Sequence, residues 1–77
     1  MEIIFYTDIN GNVPVKEFLD SLDVKMRTKM LRSIMALQDL GHNLRMPLSE
    51  SLDDGILELR AKVGSDITRV LYFFIEG

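Results

Sequence analysis

The sequence predicts a small α+β domain with two helices packed on one face of a mostly antiparallel sheet. Two runs rich in β-branched and aromatic residues flank a Gly-Ser turn near the C-terminus, and the first run alternates apolar with charged side chains at period two. Between residues 15 and 37 apolar side chains recur at helical spacing, and a Gly follows that run. The predicted order is strand (2–6), helix, helix, strand, strand. At 77 residues, the chain is expected to form a single domain over 1–77.

The C-terminal hairpin is the clearest predicted element. Residues 56–63 and 67–75 are rich in β-branched and aromatic side chains, and Gly64-Ser65-Asp66 supplies turn chemistry between them. A two-residue loop at Gly64-Ser65 would place Arg60 directly opposite Arg69 on one face. Like charges in that position destabilise a sheet unless an anion lies between them, so function could explain the pair.

The ordinary alternative is that both arginines are solvated residues near strand ends, and a loop of odd length would separate them. The opposite face of the hairpin is expected to be buried against the core. It would carry Leu57, Leu59, Val70, Tyr72 and Phe74. On the arginine side, Leu71, Phe73 and Ile75 would stay exposed, which implies a cover by a partner or by more chain.

The two helices are predicted from apolar spacing and from their end signals. The first is short and begins at Pro14, and its apolar positions are Val15, Phe18, Leu19 and Leu22. The second is predicted over 24–40, capped by Ser21 or Asp23 and ended by Gly41. Its stripe is formed by Met26, Met30, Ile34 and Leu37 and widened by Leu31 and Met35.

The second helix also carries four of the nine cations of the chain, namely Lys25, Arg27, Lys29 and Arg32. These side chains form either a solvated face or a contact with phosphate or an acidic partner. Residues 43–55 are predicted to be a loop, and His42 is interpreted as a loop or helix-end residue.

Composition excludes several classes of function. With no Cys and one His, the chain offers no metal-ligand cluster, and we predict no cofactor. There is no apolar run long enough for a membrane span and no signal-peptide pattern at the N-terminus, so a cytoplasmic protein is expected. A net charge of -3 and a pI near 4.9 argue against binding nucleic acid through bulk positive charge, but they allow a local basic patch.

The order of elements, with Leu57-Glu58-Leu59-Arg60 and Arg69-Val70-Leu71-Tyr72-Phe73-Phe74 in the hairpin, resembles the RelE/HigB superfamily of toxin-antitoxin toxins, and within it the phage-derived HigB-like branch. The resemblance implies a metal-independent endoribonuclease that cuts mRNA in the ribosomal A site. A cognate antitoxin would keep it silent. The implied partners are therefore the ribosome, mRNA and the antitoxin, with self-association as a further possibility.

The resemblance also implies roles for individual residues. Arg60 and Arg69 occupy the positions that grip RNA phosphate and stabilise charge during cleavage, with Lys62 as a further phosphate contact. Glu58 stands beside the pair, where it would orient an arginine or accept a proton. Arginine is a poor general base, so base and acid would be Glu58, His42, Tyr72 or a group outside this sequence, and we expect the last.

The chain departs from the family pattern at its C-terminus. Family members usually continue with a further strand, a lysine-rich segment and a helix, whereas this sequence ends at Gly77. We therefore expect a RelE-like domain that lacks this segment. The alternative function is a catalytically inert module that binds antitoxin or itself through Leu71, Phe73 and Ile75.

Overall fold

Two helices precede a three-stranded antiparallel sheet in the computed structural model, which describes residues 1–75. This arrangement confirms the α+β prediction. Strand order in the sheet is β1-β2-β3. The elements are α1 (Pro14–Ser21), α2 (Val24–Leu40), a single 3-10 turn (Gly41–Asn43), β1 (Ser49–Asp53), β2 (Ile56–Val63) and β3 (Asp66–Tyr72).

Both ends of α2 follow the sequence signals. Of the two predicted caps, Asp23 is the one used, and its Oδ1 accepts a hydrogen bond from the backbone N–H of Met26 at 2.8 Å. At the other end Gly41 has a φ of 53°, a conformation that only Gly adopts without a steric cost. The predicted bounds of 24–40 are therefore confirmed.

Arg27 joins the two helices. Its Nε donates to the carbonyl of Leu19 at 3.0 Å, and its Nη2 donates to those of Asp20 and Leu22 at 3.1 and 2.9 Å. The last carbonyls of a helix lack their full set of intrahelical partners, and here that of Leu19 accepts from the N–H of Leu22 at 3.2 Å. A cation there helps to satisfy these carbonyls and complements the helix dipole. Arg27 is thus a structural residue, and its assignment to a freely solvated or phosphate-binding face was wrong.

The core lies between α2 and the inner face of the sheet. From β2, Leu59 and Ala61 are 2% and 3% exposed, and Met30 of α2 is fully buried against them. The remaining buried apolar side chains are Leu19, Met26, Leu37 and Leu44. Leu31 and Met35 are exposed, contrary to prediction, because a sheet of three strands covers only a narrow stripe of the helix.

Residues 2–6 are not a strand, so the predicted first element was wrong. The segment is anchored by the N-terminal amine, which donates to the carbonyl of Gln38 in α2 at 3.1 Å. Among the described residues it has no partner strand, and Ile4 and Tyr6 are largely exposed. A period-two pattern yields a strand only where a neighbour satisfies the backbone groups, and here none does.

The predicted loop at 43–55 contains β1, which pairs antiparallel with β2. Asp54 and Gly55 connect the two strands, with φ values of 50° and 81°. Positive φ at both central residues is the signature of the type I′ turn that closes tight hairpins. The sheet therefore has an additional edge strand beside the predicted hairpin, and β3 ends at Tyr72 rather than at Ile75.

Candidate anion-binding site on the open sheet face

The hairpin register places Arg60 directly opposite Arg69, as predicted. Val63 pairs with Asp66, so the loop consists of Gly64 and Ser65 alone. Gly64 has a φ of 60° and Ser65 does not have a positive φ, which together identify a type II′ turn with Gly at its first central position. Because side chains alternate between faces, this even loop sends both guanidiniums to the face that the helices leave open.

Glu58 lies between the two guanidiniums. Its Oε1 accepts from the Nε of Arg60 at 2.7 Å and from the Nε of Arg69 at 3.1 Å. The Glu58 side chain is 12% exposed, and that of Arg69 is 55% exposed. The anion required between opposed like charges is thus supplied by the protein itself, which explains how the sheet tolerates the arginine pair.

Glu50 of β1 is a second carboxylate at this site, and sequence reasoning missed it. Its Oε2 accepts from the Nη2 of Arg60. Glu50 also lies directly opposite Glu58 in the sheet, so a carboxylate pair adjoins the arginine pair. The two carboxylates and two guanidiniums form a quartet, which we define as Glu50, Glu58, Arg60 and Arg69. With two negative and two positive groups, its net charge is zero.

The electrostatics of the quartet follow from these contacts. The hydrogen bond from Arg60 is the main cause that lowers the pKa of Glu58, aided by the charges of both arginines. The hydrogen bond to Glu58 is likewise the main cause that raises the pKa of Arg60. Glu58 and Arg60 are therefore both charged near neutral pH, and Glu58 is a weaker base than an isolated carboxylate.

This arrangement predicts how stability depends on pH. Glu58 has a lower pKa in the folded state than its usual unfolded value of about 4.3, so its contribution is present above that value. That contribution is lost as the pH falls through the folded pKa. We expect the melting temperature to fall more steeply below about pH 4.3 in the wild type than in Glu58→Gln.

Thermal unfolding from pH 7 to pH 3 measures this difference. Glu17→Gln is the matched control, because Glu17 is an exposed carboxylate on α1 and its removal changes the net charge equally. Parallel pH profiles for the wild type and Glu58→Gln would contradict the ion-paired geometry.

The other predicted site residues divide between the two faces. Lys62 is exposed and lies two positions beyond Arg60 on the same strand and face, about 7 Å away. Tyr72 lies on the inner face, packs against the core and hydrogen-bonds the hydroxyl of Ser49. His42 stacks on Phe74 with ring centroids 3.7 Å apart, next to Tyr72 in a cleft of about 450 Å³. The sheet therefore separates His42 and Tyr72 from the arginine pair.

A row of exposed apolar residues begins on the open face at Leu71 and continues past the end of β3. Leu71, Phe73 and Ile75 are all more than half exposed, as expected from the sequence. Leu71 lies directly opposite Glu58, so the row begins beside the quartet. The outer edge of β3 carries no strand in the part of the chain that the structure describes.

Two absences within residues 1–75 bear on the class of site. No group of three or more His, Cys, Asp or Glu side chains is placed to hold a metal ion. No helix within this range is both long and apolar enough to cross a membrane.

These features define a small α+β protein with an ion-paired arginine site on an open sheet face. The family model described as "Phage derived protein Gp49-like (DUF891)" matches residues 17–77, well over half of the chain. The protein therefore belongs to the phage-derived Gp49-like family, which is associated with toxin-antitoxin toxins of the RelE/HigB type. Comparison with curated proteins and with solved structures gave no significant match.

Proposed function

We propose that this protein is the toxin of a type II toxin-antitoxin system and that it cleaves mRNA on the ribosome. The observation that carries the proposal is the Arg60-Glu58-Arg69 arrangement on the open face of the sheet. Guanidiniums are permanently charged and present planar sets of donors that match phosphate oxygens. Family membership supports the toxin class, and the HigB-like branch is part of the proposal.

The proposed reaction needs no metal ion. The 2′-oxygen of the substrate attacks the adjacent phosphorus, the bond to the 5′-oxygen breaks, and the products are a 2′,3′-cyclic phosphate and a 5′-hydroxyl. Arg60 and Arg69 neutralise the negative charge that develops on the phosphorane, with Lys62 as a further phosphate contact. Among the described residues, Glu58 is the candidate base that lies on the arginine face, so we assign it, rather than the outside group expected from the sequence, to accept the proton of the 2′-hydroxyl. The leaving oxygen takes its proton from water or from the ribosome.

Two features of the site suit these roles. Glu58 is deprotonated at neutral pH and can accept a proton, although its lowered pKa makes it a weaker base than an ordinary carboxylate. Its side chain is held from two sides by the Nε atoms of Arg60 and Arg69, which fixes its position relative to a bound phosphate.

Controlled expression in bacteria tests the proposal. We expect the wild type to arrest growth and to generate 5′-hydroxyl ends within translated mRNA, whereas an Arg60→Ala/Arg69→Ala variant does neither at equal soluble abundance. Lys25→Ala/Lys29→Ala removes the same charge from the exposed side of α2 and tests the other predicted phosphate contact. Growth arrest and cleavage that survive in the arginine variant would contradict the proposal.

A second candidate function is a catalytically inert module that binds an antitoxin or another copy of itself. It is favoured by the exposed row of Leu71, Phe73 and Ile75 beside the open edge of β3. A soluble wild type that binds the product of the neighbouring antitoxin gene, or that self-associates, without cutting mRNA would select this function. In the toxin, the same row is the proposed antitoxin-binding surface.

A further inference from the structure

We propose that the Nη2 atom of Arg60 is the position that receives the substrate phosphodiester, and that Glu50 occupies it in the free protein as a displaceable competitor. The inference rests on the proposed function and adds a residue and a binding position to it. Glu50 then competes with RNA for Arg60. An RNA phosphate must displace the Glu50 carboxylate before the arginine pair can act on that phosphate.

The two carboxylates of the quartet differ in how firmly they are held. Glu58 is 12% exposed and accepts from both arginines, whereas the side chain of Glu50 is 41% exposed and bonds Arg60. The pair is only part-buried and water reaches the carboxylate of Glu50, so Glu50 leaves at little cost. Its departure also relieves the repulsion from Glu58, which lies directly opposite.

Arg60 stays in place when Glu50 leaves. Its Nε remains bonded to Glu58, and its backbone is fixed on both sides. The N–H of Arg60 donates to the carbonyl of Leu48 at 2.8 Å, and its carbonyl accepts from the hydroxyl of Ser33 at 2.7 Å. Ser33 lies in α2 and is 2% exposed, so it ties Arg60 to the core. The guanidinium therefore offers a preorganised donor once Nη2 is vacated.

The position of Glu50 favours movement. It lies on the edge strand β1, and the pairing of β1 with β2 shifts register between Ser51 and Asp53. Such irregularities loosen the ladder locally and redirect nearby side chains.

The chemistry at Nη2 identifies the class of ligand. Carboxylate and phosphate both offer paired oxygens to a guanidinium, so the carboxylate of Glu50 stands where a phosphodiester oxygen would bind. With Glu50 displaced, the remaining three groups of the quartet carry a net charge of +1 instead of zero. The site thus becomes attractive to an anion only as Glu50 leaves it.

Glu50→Gln tests the inference because it keeps the size of the side chain and removes its charge. The probe is a 2′-O-methyl hexauridylate, which retains the phosphodiesters and lacks the attacking hydroxyl. We expect Glu50→Gln to bind it about three- to tenfold more tightly than the wild type, the size expected for removing one nearby competing charge. Binding is measured by fluorescence anisotropy at fixed salt concentration.

Two further variants separate the possible results. Glu17→Gln makes the same charge change on α1. If this control gains as much affinity for the RNA as Glu50→Gln does, the gain comes from net charge alone and the inference is overturned. Unchanged or weaker binding by Glu50→Gln would overturn it as well. If Arg69→Ala weakens binding while Glu50→Gln has no effect, the arginine site stands and only the competitor role fails. If Arg69→Ala also leaves binding unchanged, the proposed function fails with it.

Discussion

Replacing Arg69 with Ala is expected to lower the rate of the proposed mRNA cleavage by about a hundred- to a thousandfold, the usual cost of losing one donor that stabilises developing charge. The side chain of Arg69 is 55% exposed and belongs to the open face of the sheet, so its loss removes no core contact. The substitution also leaves Glu58 with a single guanidinium. We expect Arg69→Lys to recover part of the rate, because it keeps the charge but loses the planar donor set.

Single-turnover cleavage on ribosomes programmed with a defined mRNA measures this loss. Lys29→Ala is the control, since it removes an exposed cation from α2 and is expected to cleave at the wild-type rate. Circular dichroism of each variant confirms that the fold is retained. A cleavage rate for Arg69→Ala within a few-fold of the wild-type rate would mean that the arginine pair has a structural role in the sheet and takes no part in the reaction.

Replacing Leu59 with Ala is expected to lower the free energy of unfolding by about 2–5 kcal/mol, the range for deleting a buried Leu side chain. Leu59 is 2% exposed and lies at the centre of the sheet, facing α2. A protein of 77 residues has a total stability of about 4–12 kcal/mol at typical values per residue. This single change therefore removes a large share of the stability of the fold.

Urea unfolding followed by circular dichroism gives the free energy of each variant. Leu59→Met keeps the volume and the apolar character, so we expect it to cost less than about 1.5 kcal/mol. If Leu59→Ala is no less stable than Leu59→Met, the core does not lie between β2 and α2 as described.

The β2-β3 hairpin and α2 were predictable because their signals are local. Turn chemistry at Gly64 and Ser65 fixed the loop length, and loop length alone decides which side chains share a face. Helical spacing between Asp23 and Gly41, with a cap at each end, fixed α2. The opposition of Arg60 and Arg69 followed directly from that register.

Elements that depend on distant partners were missed. Residues 49–53 contain two Ser, a Glu and an Asp, a composition with low strand propensity, and they form β1 because the edge of β2 is available to pair. The Asp54-Gly55 turn was the signal that could have revealed β1. Residues 2–6 show the reverse case, in which strand-like composition finds no partner among the described residues.

The candidate site was predictable only in part for the same reason. Arg60, Arg69 and Glu58 come from the hairpin, whose register could be read from the sequence. Glu50 comes from β1 and reaches the site only through the β1-β2 pairing, so missing the strand also hid this residue. The hydrogen bonds of Arg27 could not be predicted for the same reason, because they depend on how the end of α1 is placed beside α2.

The proposed contact between RNA and the arginine pair is tested most directly by nuclear magnetic resonance of the arginine Nε–H groups. The probe is the 2′-O-methyl hexauridylate, titrated into nitrogen-15-labelled protein. We predict that the Nε–H signals of Arg60 and Arg69 shift together as RNA binds, while that of Arg27, held by the end of α1, stays in place. Signals of Arg60 and Arg69 that remain unchanged while RNA binds elsewhere would contradict the assignment of this face as the RNA-cleaving site.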